Sequence, residues 1–469
     1  MKSVSLTQGS VPRGLFAFAM PILYGNLVQV LNGTLTAFWV GRYLGERTLA
    51  ALVNASSLLA IVLGGVFAMA TISSLFVGVH LGGGRLQEAK GVVGTSTTFF
   101  TLLAGLIALV GVVVSEPVLD WMQTPYGSLS LAVDYARVVF MGVPVLLSHA
   151  FVLALVRGSG DSVTPFRFLL LTVVLDGLLN PLFLFGIGPW AGFGLPGSGV
   201  AAILAQGIGL IAMLIYLYRK RHPLCIGAHE LGLLKPKLAV VKGVATQGSA
   251  RGLQMFVVSF SGVLMIALVN RYGTDATAAY GATTQVWQYI QIPAFAIGMA
   301  ASSMAAQNIG AQKWERVHAI ASTGVWLGIG LTTALVAGVT VFGTQVIGLF
   351  LPDGSAALPV AVHLNSIVGW SYIPLGICVV LFGVVRANGA VMTPLGILFF
   401  ALLLVRFPMA CAFLASWQIE AIWWSFPVST VFGAVLAIAY YVFGDWRGGR
   451  THERRAQTAG GSLSAAPRS

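Results

Sequence analysis

Twelve stretches of about 20 or more mostly apolar residues recur along the chain, at approximately 15–41, 50–79, 93–114, 133–156, 165–189, 197–218, 246–270, 278–305, 319–349, 358–385, 394–415 and 421–443. A helix rising 1.5 Å per residue crosses a hydrocarbon core of roughly 30 Å in about 20 residues, so each run predicts one membrane-spanning helix. With lipid on every side a helix satisfies its own backbone groups, whereas strands need a closed barrel of short alternating segments. The predicted fold class is therefore all-α and polytopic. The first run, from Leu15 onwards, is too long for a signal-peptide core and lacks an obvious small-residue cleavage site, so it reads as the first helix.

The polar segments between the runs repeat. VRGSGDSVTP (Val156–Pro165) and VRANGAVMTP (Val385–Pro394) share Val, Arg, Gly, Thr and Pro at an offset of 229 residues. GERTLAA from Gly45 matches GTDATAA from Gly273 at 228, and HLGGGRLQEA from His80 pairs more loosely with NIGAQKWERV from Asn308, also at 228. A repeat of six helices returns the chain to the side it left, so the halves are parallel repeats about an axis along the membrane normal. The expected organisation is an N-lobe at 1–218 (helices 1–6), a cytoplasmic linker at 219–243, a C-lobe at 244–443 (helices 7–12) and a disordered basic tail at 444–469. Two such lobes facing one cavity suit alternating access around a fixed site.

Composition agrees with this reading: 57% of residues are hydrophobic and 9% charged, against about 25% charged in soluble domains. The net charge of +12 changes the picture only in topology. With the N-terminus inside, 20 of the 26 basic residues fall on the cytoplasmic side, which puts both termini in the cytoplasm and removes the case for a nucleic-acid partner. Cys225, Cys378 and Cys411 stand singly, without metal or disulfide spacing. No P-loop, HExxH, paired-carboxylate or Ser–His–Asp pattern is present, so no enzyme activity and no cofactor are expected.

Against that apolar background VVLDGLLNPLF (173–183) stands out. Asp176 is the lone acid well inside a run, eleven residues after Pro165 and so at a depth of roughly 16 Å. A charge there costs at least about 2.5 kcal/mol, so it faces a cavity, pairs with a partner such as Arg251, or takes up a proton. Asn180 lies one turn on, on the same face. Pro181 lacks an N–H, which frees the carbonyl of Gly177. Carboxylate, amide and carbonyl together suit a proton relay or a hard cation such as Na⁺. Asn32, Thr34 and Thr36 on the first helix and Ser198 on the sixth are candidates to complete this site. Gln285, Trp287 and Gln288 on the eighth helix combine amides with an aromatic ring, as a pocket for drug-like molecules would, although amides also join helices in lipid. Arg251 and Arg406 are cations within helices and candidate substrate contacts, with snorkelling or structural roles as the alternatives.

WVGRYLGERTLAA, HLGGGRLQEA, VRGSGDSVTPF and QNIGAQKWERV, at equivalent places in both halves, resemble the multidrug and toxic compound extrusion (MATE) family, in particular its DinF-like prokaryotic branch. The resemblance covers essentially all twelve helices. It implies a monomeric, V-shaped pair of six-helix lobes in the prokaryotic inner membrane, exporting cationic or amphipathic organic compounds in exchange for H⁺ or Na⁺. It also implies an aspartate in helix 1 and an Asn-x-x-x-Asp pair in helix 5. Here the helix-1 position is Thr36 and the helix-5 pair is inverted, Asp176 preceding Asn180. Proton antiport through Asp176 is the expected coupling, with Na⁺ at Asp176 and Asn180 second. The alternative is a flippase or exporter of a lipid-linked or anionic cargo with weak or no cation coupling.

Overall fold

The computed structural model describes residues 6–448 apart from 123, 125, 188, 189, 352 and 353. Among these residues twelve helices are long and apolar enough to span a bilayer: α1 Val11–Leu44, α2 Arg47–Gly82, α3 Leu86–Trp121, α4 Gly127–Gly158, α5 Val163–Phe185, α6 Leu195–Arg219, α7 Leu238–Tyr272, α8 Thr274–Gly310, α9 Trp314–Val341, α10 Ala357–Ala387, α11 Met392–Trp417 and α12 Ile419–Phe443. The predicted all-α class holds apart from one two-residue antiparallel ladder, Gly186–Ile187 with Trp190–Ala191.

Two predicted runs overreach their helices. α5 stops at Phe185 because Gly186 turns to a φ of 80°, a conformation open to glycine without steric cost. α9 stops at Val341, and a separate helical turn, Gly343–Gly348, carries the next apolar residues. Hydropathy counts apolar residues and cannot register either break. Most of the basic tail, residues 449–469, lies outside the described residues.

The chain forms two compact units, Met1–Leu6 with Ala17–Gly252 and Thr7–Phe16 with Leu253–Ser469. The divisions read from the sequence at 218 and 244 shift accordingly, and packing gives the reason. Arg316 donates from Nη1 and Nη2 to the carbonyls of Gly9 (2.9 Å) and Gln8 (3.2 Å), fixing the entry to α1 in the second unit. Gly248 of α7 lies flush against Met69 of α2 in the first. Within the first unit α2 and α3 pack on α4, and α4 and α5 pack on α6; within the second, α8 packs on α9 and α10, and α10 on α12. The most buried spans are α2 and α4 in one unit and α8 and α10 in the other, which are repeat-equivalent helices.

Residues 219–243 dock on the first unit. Their 3₁₀ segment Ala228–Leu234 lies across α3, with Glu230 paired to Lys90 at 2.7 Å and the Leu234 carbonyl accepting from Thr98 Oγ1 at 2.7 Å. A side chain at Gly94 would collide with the Leu233 backbone, so this glycine permits the close approach. The Lys90 ammonium, helped by the Gly227 N–H, holds the Glu230 carboxyl below its ordinary range. The pairing thus contributes fully above the unfolded carboxylate value of about 4.3 and is lost as pH falls through the depressed folded value. Lys90→Ala is expected to speed hydrogen exchange across 228–234 by up to about fivefold at pH 7, the range of a surface ion pair. The difference from the parent closes once the pH lies below both values, after correction for intrinsic rates. An unchanged exchange rate at pH 7 would remove the pair from the docking account.

Candidate functional site

The site is built on α5, whose start is set by its loop. Asp161 of the GSGDS segment accepts the backbone N–H groups of Val163 (3.0 Å) and Thr164 (2.9 Å), supplying partners for donors that a helix start leaves free. From there α5 is amphipathic in an inverted sense. Its buried positions include Thr172, Asp176 and Asn180 at a spacing of four, while Val174 and Leu178 are exposed. A span in lipid turns its polar stripe inward because hydrocarbon gives those groups no partners.

Asp176 is buried, and its Oδ2 accepts a hydrogen bond from Asn32 Nδ2 at 2.8 Å. Asn180, also buried, donates from Nδ2 to Ser198 Oγ on α6 at 3.0 Å. Two acceptors one turn apart, Asp176 Oδ1 and Asn180 Oδ1, have no hydrogen-bond partner. Asp176 has no ion pair among the described residues, so the pairing with Arg251 considered from the sequence does not form; Arg251 makes its interaction elsewhere. The phenol of Tyr135 on α4 lies within electrostatic reach of Asp176, and its ring borders Gly199, next to Ser198.

The arrangement has a definite chemical consequence. An unpartnered buried acceptor costs about 1–3 kcal/mol, more if charged. One proton on Asp176 Oδ1 converts an acceptor into a donor and removes the buried charge. A hard cation meeting the same two oxygens would act in the same direction, and carboxylate with amide oxygen is a suitable donor chemistry for it.

The structure sorts the other expected residues. Asn32, one of the first-helix candidates to complete the site, joins the Asp176 cluster. Thr36 donates to the Asn32 carbonyl at 3.1 Å and Thr34 to the Val30 carbonyl at 3.0 Å, so both hydroxyl protons go to their own helix backbone. Gly177 sits on the exposed flank of α5, away from the buried stripe, because the next residue on a helix turns about 100°. Beside the stripe, though not singled out from the sequence, His149 is buried on α4 and lies 3.4 Å from Thr172 Oγ1.

In the second unit Trp287 is buried and donates to Asn365 Oδ1 at 3.1 Å. Gln285 and Gln288 lie on the other, exposed side of α8, joined at 2.8 Å. Arg406 ends a π-helical stretch of α11, Phe400–Arg406. It donates from Nε to Ser429 at 2.8 Å and lies over the Phe426 ring at 4.4 Å, with Tyr280 and Tyr372 in electrostatic reach. These contacts anchor it in the helix bundle. Tyr135 and Asn365 were not apparent from the sequence; a polar residue inside an apolar run was the available signal for each.

A family profile described as MatE matches residues 21–182 and again 251–411, one match in each half. The chain belongs to the MatE family. The two matches start 230 and end 229 residues apart, which recovers the internal repeat. The chain is similar to the probable multidrug resistance proteins YoeA and YpnP of Bacillus subtilis. YoeA is 30% identical, over 92% of this chain and 94% of the relative. YpnP is 31% identical, over 95% and 98%. The solved structure of a MOP superfamily transporter from Pyrococcus furiosus has the same fold, with a TM-score of 0.88 over 96% of this chain and 99% of that one at 17% identity. As a MatE protein the chain is an integral membrane transporter for small molecules and not an enzyme.

Proposed function

We propose that this MatE protein is a secondary active exporter of cationic or amphipathic organic compounds, working by alternating access in antiport with H⁺, and that Asp176 carries the proton. The observation that carries the reading is the Asp176 carboxyl itself: buried in mid-span, held by Asn32 on one oxygen and left with the other oxygen unpartnered. A proton is the smallest species that resolves this state, and one carboxylate suffices for one proton. The names of YoeA and YpnP support the drug-like cargo. Membership of the DinF-like branch, a monomeric state and cytoplasmic termini in a prokaryotic inner membrane belong to the same reading, the last from the bias of basic residues.

Efflux of a cationic dye from proteoliposomes under an imposed gradient tests it. A pH gradient alone is expected to drive transport, and a sodium gradient at equal pH on both sides is not. Transport driven by sodium alone would reassign Asp176 and Asn180 to a cation site. Transport indifferent to both gradients would favour the lipid-linked or anionic cargo.

A further inference from the structure

The first unit contains a cavity of about 400 Å³ that proton coupling does not use. It is walled by Val93 and Phe100 of α3, Phe151 and Leu155 of α4, and Leu214 and Leu217 of α6. α3 and α6 each pack along α4, which therefore forms the floor. The linker forms the roof through Leu231 and Leu234, held down by the Lys90–Glu230 pair and the Thr98 bond. The volume falls in the range of ligand pockets, about 300–1,000 Å³.

Two features define what fits. The first is where the cavity opens. Leu214, Tyr218 and Leu231 line it and are themselves exposed, so it opens sideways on the flank of the unit. One turn before Leu214 on the same flank of α6, Ile211 is exposed as well. In a bilayer such a surface meets acyl chains.

The second feature is charge. Tyr218 and His222 both line the cavity, and between them run Arg219, Lys220 and Arg221, all exposed. The Tyr218 hydroxyl donates to the Ile226 carbonyl at 3.1 Å, fixing this corner to the linker. Burial lowers the pKa of His222, whose Nδ1 accepts from the Leu224 N–H at 3.3 Å, so the ring is neutral near pH 7. The one acid at the roof, Glu230, is matched by Lys90. Three exposed basic residues thus lie in the chain beside the mouth, between two of its lining residues, against Asp161 within electrostatic reach of His222, at the level where a helix leaves the hydrocarbon. An apolar slot open to lipid with cations at its end is complementary to a molecule with a hydrocarbon chain and a negative head.

We propose that this cavity seats an acyl chain of an anionic glycerophospholipid from the leaflet on the linker side, with its phosphate held by Arg219, Lys220 and Arg221. The lipid is a resident ligand bridging α3, α6 and the linker, separate from the exported cargo.

Native mass spectrometry of the full-length protein in detergent, titrated with phosphatidylglycerol or phosphatidylcholine of identical chains, tests this. One phosphatidylglycerol is expected to bind at least about tenfold more tightly than phosphatidylcholine. The combined change Arg219→Gln, Lys220→Gln, Arg221→Gln is expected to bring the two lipids to near parity. Thr97 lines the cavity half-buried, and Thr97→Phe is expected to fill it and abolish the bound lipid of either kind. A second reading that leaves the interior intact uses Leu214→Trp at the lip, with quenching by brominated-chain phosphatidylglycerol saturating at one lipid per protein. Equal binding of the two lipids by the parent, a preference that survives the triple change, a folded Thr97→Phe protein that keeps its lipid, or no saturable quenching would each overturn the assignment.

Discussion

Asp176→Asn is expected to reduce transport driven by a pH gradient by at least about a hundredfold, ~2.8 kcal/mol at 1.4 kcal/mol per decade, while leaving the protein folded. The substitution is nearly isosteric. The amide oxygen of Asn at 176 can still accept from Asn32 Nδ2, the bond seen at 2.8 Å, so the α1–α5 contact survives. What disappears is the ability to change charge. Asn32→Ala tests the other half of the pair: it keeps the carboxylate but removes the donor that meets it at 2.8 Å. Leaving a buried charged acceptor without its donor costs about 1–3 kcal/mol or more, so Asn32→Ala is expected to shift the pH dependence of transport rather than abolish coupling. A double-mutant cycle across the two positions then separates a shared role from independent ones. Full gradient-driven transport by Asp176→Asn would end the proton-carrier reading.

The largest expected stability effect is at Gly197. A Cβ there would sit 2.7 Å from the carbonyl carbon of Phe183 and closer still to its oxygen. Both are backbone atoms of α5 and cannot move aside as a side-chain tip would. Gly197→Ala therefore has to push α5 and α6 apart, at a cost of about 1–3 kcal/mol. It displaces Ser198 as well, the partner of Asn180, so transport is expected to fall along with stability. Gly177→Ala is the control within the same helix pair. Nothing lies within 4 Å of a Cβ at Gly177, and the gain in helix propensity is at most about 1 kcal/mol. Thermal unfolding in detergent should show a lower midpoint for the first and an equal or higher one for the second. Equal midpoints would mean that α5 and α6 separate without cost and would remove the close approach from the stability account.

Much of the fold is legible in the sequence because its determinants are local or additive. A run of 20 apolar residues is a membrane span whichever helix it meets, and a repeated motif at a constant offset marks a duplication whatever it packs against. Asp176 was legible for the same reason: charge in hydrocarbon is anomalous wherever it stands. The partner of Asp176 was not. Asn32 lies 144 residues away, and no periodicity joins the two positions. The sequence offered Asn32, Thr34 and Thr36 alike on α1, and only the structure shows that the Thr36 hydroxyl is satisfied four residues back by its own backbone. The packing partners of Trp287 and Arg406 were hidden for a related reason. Tryptophan and arginine suit a ligand pocket as well as they suit Asn365 and Ser429, and residue type alone does not choose.

The sequence by itself therefore determined the solvent of this protein, its twelve spans, its duplicated plan and the one acid well inside a span. Those properties follow from transfer free energies, which each residue carries with it. The tertiary structure alone decided which groups meet that acid, which helix starts join which unit, and that the linker closes an apolar cavity with basic residues beside its mouth. Those properties depend on distances of a few ångströms between residues far apart in the chain, set by packing that no single segment encodes.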